Sequence, residues 1–196
     1  MSDPRRTARA GRPAAAFAEL RAEVLDVAIP YGPGGHAVAP AALLVDANAR
    51  QHAATPLAEL TVGPDRWLAI RSAGSAPPEP PEAWRTGVLR LRLGLSQWLL
   101  DRCLDHLGER TSGGIPLISH QLVRVELAEA AADQLIVELS TGGLEPAGLH
   151  RLHERLLHTD RALLRLLGAA GYRSDGPGQV ALLSELLADV YSGAAA

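Results

Sequence analysis

Four prolines within five positions divide this chain. They are Pro77, Pro78, Pro80 and Pro81, in the run SAGSAPPEPPEAW. Proline has no backbone N–H and a locked φ, so neither a helix nor a central strand runs through such a cluster. Residues 77–82 therefore read as a hinge.

Before the hinge the texture is that of strands. EVLDVAIPY and HAVAPAALLVDA are rich in Val, Ile, Leu and Ala, and YGPGGH between them has the glycines of a hairpin turn. PLAELTV and RWLAIRSA follow, separated by the turn signal GPD. Three or four short antiparallel strands are expected over residues 17–76. After the hinge the texture is helical. The spacing predicts helices over Glu82–Leu107, from Leu117 or Ser119 to Leu139, over Ala147–Leu167 and over Gln179–Tyr191. The second should bury Leu122, Val125, Leu135, Ile136 and Leu139, with Ala128 and Ala132 between them. The third has Leu149, Leu152, Leu156, Leu163 and Leu166 or Leu167 as its seam. The fourth turns Leu183, Leu186 or Leu187, and Val190 inward. The fold class is thus α+β, a partial antiparallel β-domain followed by an antiparallel four-helix bundle over 83–193, with 194–196 as a tail.

Composition narrows the function. A net charge of −3 without a basic stripe argues against nucleic acid as partner. The start, MSDPRRTARAGRP, sets four arginines among Pro, Gly and Ala, so residues 1–16 read as a disordered leader without the apolar core of a signal peptide. No run has the length of a membrane span. The single cysteine, Cys103, excludes an internal disulfide and sits at helical spacing as a packed thiol. A cytoplasmic protein is expected.

Several familiar chemistries fit poorly. GPGG lacks the Lys-Ser/Thr and the helix of a phosphate loop. In HRLHERLLHTD, His153-Glu154 is followed by His158 at i+5, off the face a metalloprotease needs, and His150 with His153 makes only two ligands, so no metal is expected. Glu154 and His158 read as an exposed i,i+4 pair. Gly94-Leu95-Ser96-Gln97-Trp98 lacks the second glycine of a nucleophile elbow and lies mid-helix.

ERTSGGIPLISHQLVRVELAEAA is more specific. A charged helix end, a Gly-Gly break, a proline and a new helix start bring a cation and fresh N–H donors to one end of the bundle, which suits an anion such as a pyrophosphate. An ordinary helix–helix turn, with Arg110 countering the helix dipole, explains the same residues. This stretch resembles the hallmark segment of the acyl-CoA dehydrogenase family, at Arg110, Gly114, Pro116, His120-Gln121 and Leu127-Ala128-Glu129. The loop RLLGAAGYRSDGP resembles that family's Gly-rich aromatic loop at Gly168, Ala169, Ala170, Gly171 and Tyr172, with Pro177 in register. Counting on, the family's aromatic–Glu–Gly ending falls on Tyr191, Ser192 and Gly193. AALLVDANARQHAATPL resembles the later strands of the family's middle domain. The chain departs from the pattern at Gly113 and Ala169, and at Leu183-Ser184, where Arg-Asp is usual.

The resemblance implies an acyl-CoA dehydrogenase-type bundle and, in the family, FAD that accepts hydride from an acyl-CoA thioester while a glutamate removes the α-proton. It implies cofactor-binding roles for Arg110, His120, Gln121, Arg165, Gly168, Ala169 and Gly171, the set one subunit lends to its neighbour's FAD. The residues that cradle the flavin ring are largely missing, and the usual Glu position holds Ser192, whose hydroxyl pKa is far too high for an unaided base. Glu82 is the alternative carboxylate, and Arg85 the substrate-side cation. The expectation is a shortened, non-catalytic subunit that completes the FAD site of a full-length acyl-CoA dehydrogenase in a hetero-oligomer. The alternatives are a homodimer, a cofactor-free biosynthetic enzyme or scaffold acting on an acyl chain, and a small self-sufficient FAD-dependent oxidoreductase.

Overall fold

The segment VLRLRLGLSQWLL carries apolar residues on every side, and a helix of that kind has to be surrounded. In a computed structural model describing residues 3–25, 29–48, 54–72, 80–140, 142, 144–173 and 176–192, it is the middle of helix α4, Glu82–Glu109. Leu89, Leu91, Leu93, Leu95 and Leu99 are all buried. Helices α5 (Gln121–Leu139), α6 (Pro146–Leu167) and α7 (Pro177–Tyr191) pack around α4 as the expected bundle. Proline opens α6 and α7, where its missing N–H costs nothing. The α6 seam is Leu149, Leu152, Leu156, Leu163 and Leu167, and α7 buries Leu183 and Leu187, both as expected. Prolines 77 and 78, Gly193 and the tail lie outside the described residues.

Ahead of α4 stands a three-stranded antiparallel sheet in the order β1-β3-β2, from His36–Pro40, Ala54–Val62 and Asp65–Ser72. The GPD turn joins β2 to β3 as expected, with Gly63 at φ 59°. Among the described residues YGPGGH does not join two paired strands. Residues 13–24 before it are helix α2, β1 pairs with β3, and AALLVDAN is helix α3, Ala41–Asn48. Gly32 serves packing instead: a Cβ there would lie 1.7 Å from the Val190 carbonyl oxygen.

The leader expected over residues 1–16 is a second correction. Pro4–Arg9 form helix α1, and Pro13–Val24 form α2. Two glycines on α4 explain the docking. At Gly94 a Cβ would stand 2.2 Å from the Arg5 carbonyl oxygen, and at Gly87 one would stand 2.1 Å from Leu20 Cδ1. The arginines that look like charge in a flexible leader are tied down. Arg5 pairs with Glu138 at 2.5 Å, and Arg9 holds both carboxylate oxygens of Asp101 at 2.9 and 3.1 Å.

The third correction concerns α5. Its buried side is Leu127, Ala130, Gln134 and Val137, whereas Leu122, Val125, Leu135, Ile136 and Leu139 are exposed. The stripe expected as core lies on the outside.

A file of four aromatic rings joins sheet to bundle. Phe17 of α2 meets Trp67 of β3 at 5.5 Å and Trp84 of α4 at 5.3 Å, both edge to face, and Trp84 meets Tyr191 of α7 at 5.6 Å. Phe17→Ala is expected to cost about 3–5 kcal/mol in urea unfolding, the usual range for emptying a buried aromatic site. Gly94→Ala should undock α1, seen as faster tryptic cleavage at Arg5, Arg6 and Arg9 with little change in the melting temperature of the bundle.

Candidate functional site

The up-and-down connectivity brings the end of α4, the start of α5, the end of α6 and the start of α7 to one end of the bundle. Leu107, Leu127, Leu163, Leu167 and Ala181 pack together beneath it. The link from α4 to α5 is a miniature hairpin, β4 (Thr111–Ser112) with β5 (Ile115–Pro116). Gly113 and Gly114 form its two-residue turn at φ 60° and 80°, the left-handed region that glycine allows cheaply. Arg110 ends α4 fully outward, with its guanidinium 3.3 Å from His106 Nε2 and its carbonyl accepting from Leu117 N–H. His120 is the N-cap residue of α5 and Gln121 its first residue, both exposed.

Arg165 lies in the last turn of α6, also exposed. Gly168 follows at φ 55°, and nothing stands within 4 Å of where its Cβ would be. Gly168 and Ala169 therefore present open backbone. Gly171 does not. It is buried, and a Cβ on Gly178 of α7 would stand 2.4 Å from the Gly171 carbonyl oxygen, so Gly178 lets the loop fold onto α7. Of the seven residues grouped by resemblance, six face solvent at one end and the seventh is packing.

The positions considered for a base lie at the other end. Ser192 caps α7, and its hydroxyl donates to the Ala188 carbonyl at 2.7 Å. That is a helix-end hydrogen bond and leaves no lone proton acceptor of useful basicity. Tyr191 beside it is buried, and its hydroxyl lies 3.2 Å from the Pro30 carbonyl. Glu82 opens α4 about 40 Å from Arg110, at 1.5 Å per helical residue. It is exposed on the rim of a cleft of about 830 Å³ between α1, α2 and α4, where Glu23, Arg90 and Leu93 also line the wall. Arg85 is half-buried one turn further on.

Between the two ends lies a buried polar cluster that the sequence reading does not single out. Arg92 of α4 is fully buried. Its Nε donates to Ser184 Oγ at 3.1 Å and its Nη1 to His153 Nδ1 at 2.6 Å. Ser184 in turn donates to Asp160 at 3.0 Å, and Gln134 donates to Ser96 at 2.9 Å. Burial lowers the Arg92 pKa to about 10, leaving it cationic at neutral pH, and raises that of Asp160 to about 6. His153 falls well below its ordinary value, through burial first and then the Arg92 charge. With Nδ1 accepting, His153 is the neutral Nε2–H tautomer. His153 is thus a core residue, while His150 and His158 face solvent. Among the described residues no three His, Cys, Asp or Glu side chains gather as a metal site. Cys103 is buried, donates to the Leu163 carbonyl at 3.3 Å, and has its thiol pKa pushed up to about 12 by burial, so it is inert. A signal for the cluster is present in the chain: Asp160 and Ser184 each fall on the apolar stripe of their own helix, and Arg92 lies within the stretch of α4 that is apolar on every side.

Removing one partner from such a cluster strands the other's charge. Asp160→Ala should cost about 3–5 kcal/mol in urea unfolding, while Arg92→Met with Asp160→Leu should recover most of that loss. The pH dependence follows from the shifts. His153 stays neutral while its unfolded counterpart protonates, so stability is lost as pH falls below about 6.5. Asp160 works oppositely and gains stability as pH falls from about 6 toward its unfolded value. His153→Gln should therefore flatten the drop in urea midpoint between about pH 7 and about pH 6.

Comparison with known proteins finds a family model over part of the chain and solved structures of similar fold. Residues 83–140 match the acyl-CoA dehydrogenase C-terminal domain. No curated protein sequence matches significantly. A glutaryl-CoA dehydrogenase from Mycobacterium smegmatis, solved in complex with FADH2, is similar at a TM-score of 0.53 and 18% identity, over 74% of this chain and 45% of that one. Butyryl-CoA dehydrogenase from Megasphaera elsdenii is similar at a TM-score of 0.52 and 13% identity, over 84% of this chain and 46% of that one. FkbI, of methoxymalonyl extender-unit biosynthesis, is similar at 0.50 and 16%, over 73% and 47%. The chain spans less than half the length of these proteins. Its fold is similar to theirs, a helical bundle of the acyl-CoA dehydrogenase C-terminal type with a small antiparallel sheet before it. Among the described residues no helix is long and apolar enough to cross a membrane.

Proposed function

We propose that this acyl-CoA dehydrogenase-like chain is a non-catalytic subunit that lends its Arg110–Arg165 end to the FAD of a full-length acyl-CoA dehydrogenase. The observation that carries this reading is the separation of the two ends. Two exposed guanidiniums, an open Gly168–Ala169 backbone and His120-Gln121 gather at one of them. At the other, the only hydroxyl in the usual base position is committed to its own helix. The donor set fits the diphosphate of a dinucleotide approached from outside. Arg110 and Arg165 would hold the phosphate oxygens, with His120, Gln121 and the Gly168 backbone along the rest of the molecule. Bound FAD would supply hydride acceptance from an acyl thioester. The residues of this chain bind and orient, and the base comes from the partner subunit.

Co-expression with the full-length acyl-CoA dehydrogenases of the source organism, one at a time, tests this. A yellow hetero-oligomer is expected. Arg110→Ala and Arg165→Ala should each weaken FAD retention roughly ten- to hundredfold, the equivalent of one Arg–phosphate contact of about 1.5–3 kcal/mol. Unchanged flavin content in both variants would refute the reading.

The cleft beside Glu82 favours one second reading, a cofactor-free protein that takes a small acyl ligand between α1, α2 and α4. A protein that stays colourless with every partner, yet is stabilised in thermal melts by acyl thioesters in a Glu82- and Arg90-dependent way, would support it instead.

A further inference from the structure

The cleft of about 830 Å³ between α1, α2 and α4 carries charge in an order that the packing of the chain does not use. Glu82, Thr86 and Arg90 line it from α4. They are four residues apart, so they form one row along a single face of the helix. The row runs carboxylate, hydroxyl, guanidinium, and at 1.5 Å per residue it spans about 12 Å. Glu23 adds a second carboxylate from the α2 wall. Much of the remaining lining is apolar, with Leu20 and Val24 on α2 and Ala83, Gly87 and Leu93 on α4.

The other charged groups of the cleft are paired within the chain. Arg5 holds Glu138, and Arg6 holds Asp3. Glu23, Glu82 and Arg90 are exposed, and none of their side chains has an ion-pair or hydrogen-bond partner among the described residues. Glu82 and Arg90 stand two turns apart, beyond the one-turn spacing at which helix side chains meet. A carboxylate and a guanidinium kept apart along a partly apolar wall match a ligand whose charges are equally separated and opposite in sign. An ammonium group brings three N–H donors to Glu82, and a carboxylate takes the planar fork of Arg90. A fatty acid would satisfy Arg90 alone, and an alkylamine Glu82 alone.

We infer that the cleft binds a zwitterion on an apolar stem, with its ammonium at Glu82 and its carboxylate at Arg90, as in a medium-length ω-amino acid or a short extended peptide. This rests on the second reading above, in which the cleft takes a small ligand, and is independent of the Arg110 end. Calorimetric titration of the purified full chain tests it. Saturable binding of the eight-carbon ω-amino acid is expected, at least tenfold tighter than the four-carbon one, whose charges cannot reach both groups. Octanoate and octylamine carry one charge each and should also bind at least tenfold more weakly. Trialanine separates the two sources: binding tighter than that of the eight-carbon acid assigns the site to a peptide, and weaker binding to an amino acid. Arg90→Gln should erase the preference over octylamine, and Glu82→Gln the preference over octanoate. Both positions are exposed, and circular-dichroism melts check that the fold is kept. Failure of both zwitterions to bind overturns the inference, as does a four-carbon acid that binds as well as the eight-carbon one. So do preferences that survive in both variants. Octanoate or octanoyl-CoA binding as tightly as the zwitterions sinks it too, while keeping the second reading, because the cleft is then an acyl site without a place for the ammonium. No flavoprotein enters the test, so its failure leaves the FAD reading untouched.

Discussion

The aromatic file Trp67–Phe17–Trp84–Tyr191 is the contact on which the rest of the structure depends. Each ring belongs to a different element: β3, α2, α4 and α7. These edge-to-face contacts lie in the one core that the sheet, the N-terminal helices and the bundle share. The chain has a single phenylalanine and three tryptophans, and Phe17 with two of the tryptophans lies in this file. Tyr191 closes it, bonded to the Pro30 carbonyl beyond α7. Trp84 itself is fully buried.

That packing sets the polarity of the bundle. The end near Trp84 and Tyr191 is sealed against the sheet, and the opposite end projects a glycine hairpin, two arginines and a positive-φ glycine into solvent. Between them the Arg92–His153–Ser184–Asp160 cluster crosses the core. A buried pair of this kind adds little net stability, because desolvation offsets most of its attraction. It does penalise every helix register that leaves Arg92 or Asp160 alone, which is a reason to retain it.

Much of the bundle is legible in the sequence. Proline and glycine breaks bound each helix, and the α6 seam reads correctly because that helix has one apolar face and one charged face. α5 misleads because it has two apolar faces. Periodicity says that a stripe wants to be covered but not by which chain, so the more hydrophobic outer stripe looks like core. The leader misleads for a related reason. Arginines among Pro, Gly and Ala look solvated until Gly94, nearly ninety residues away, admits the backbone of α1. The candidate site is legible as a set of residue types around Arg110 and Gly168, but not that Gly171 turns inward or that Ser192 is occupied.

The sequence by itself determined the elements. Proline placement, glycine at left-handed positions and apolar spacing are local, and each acts whatever the rest of the chain does. It also determined that position 192 carries a hydroxyl, and a serine hydroxyl is not a carboxylate in any fold. Only the tertiary structure decided which faces are inside, that His153 is buried beside Arg92, and that Arg110 and Ser192 lie at opposite ends of the bundle. Those outcomes depend on contacts between residues far apart in the chain. The energies of such contacts come from burial and desolvation, and no local pattern contains them.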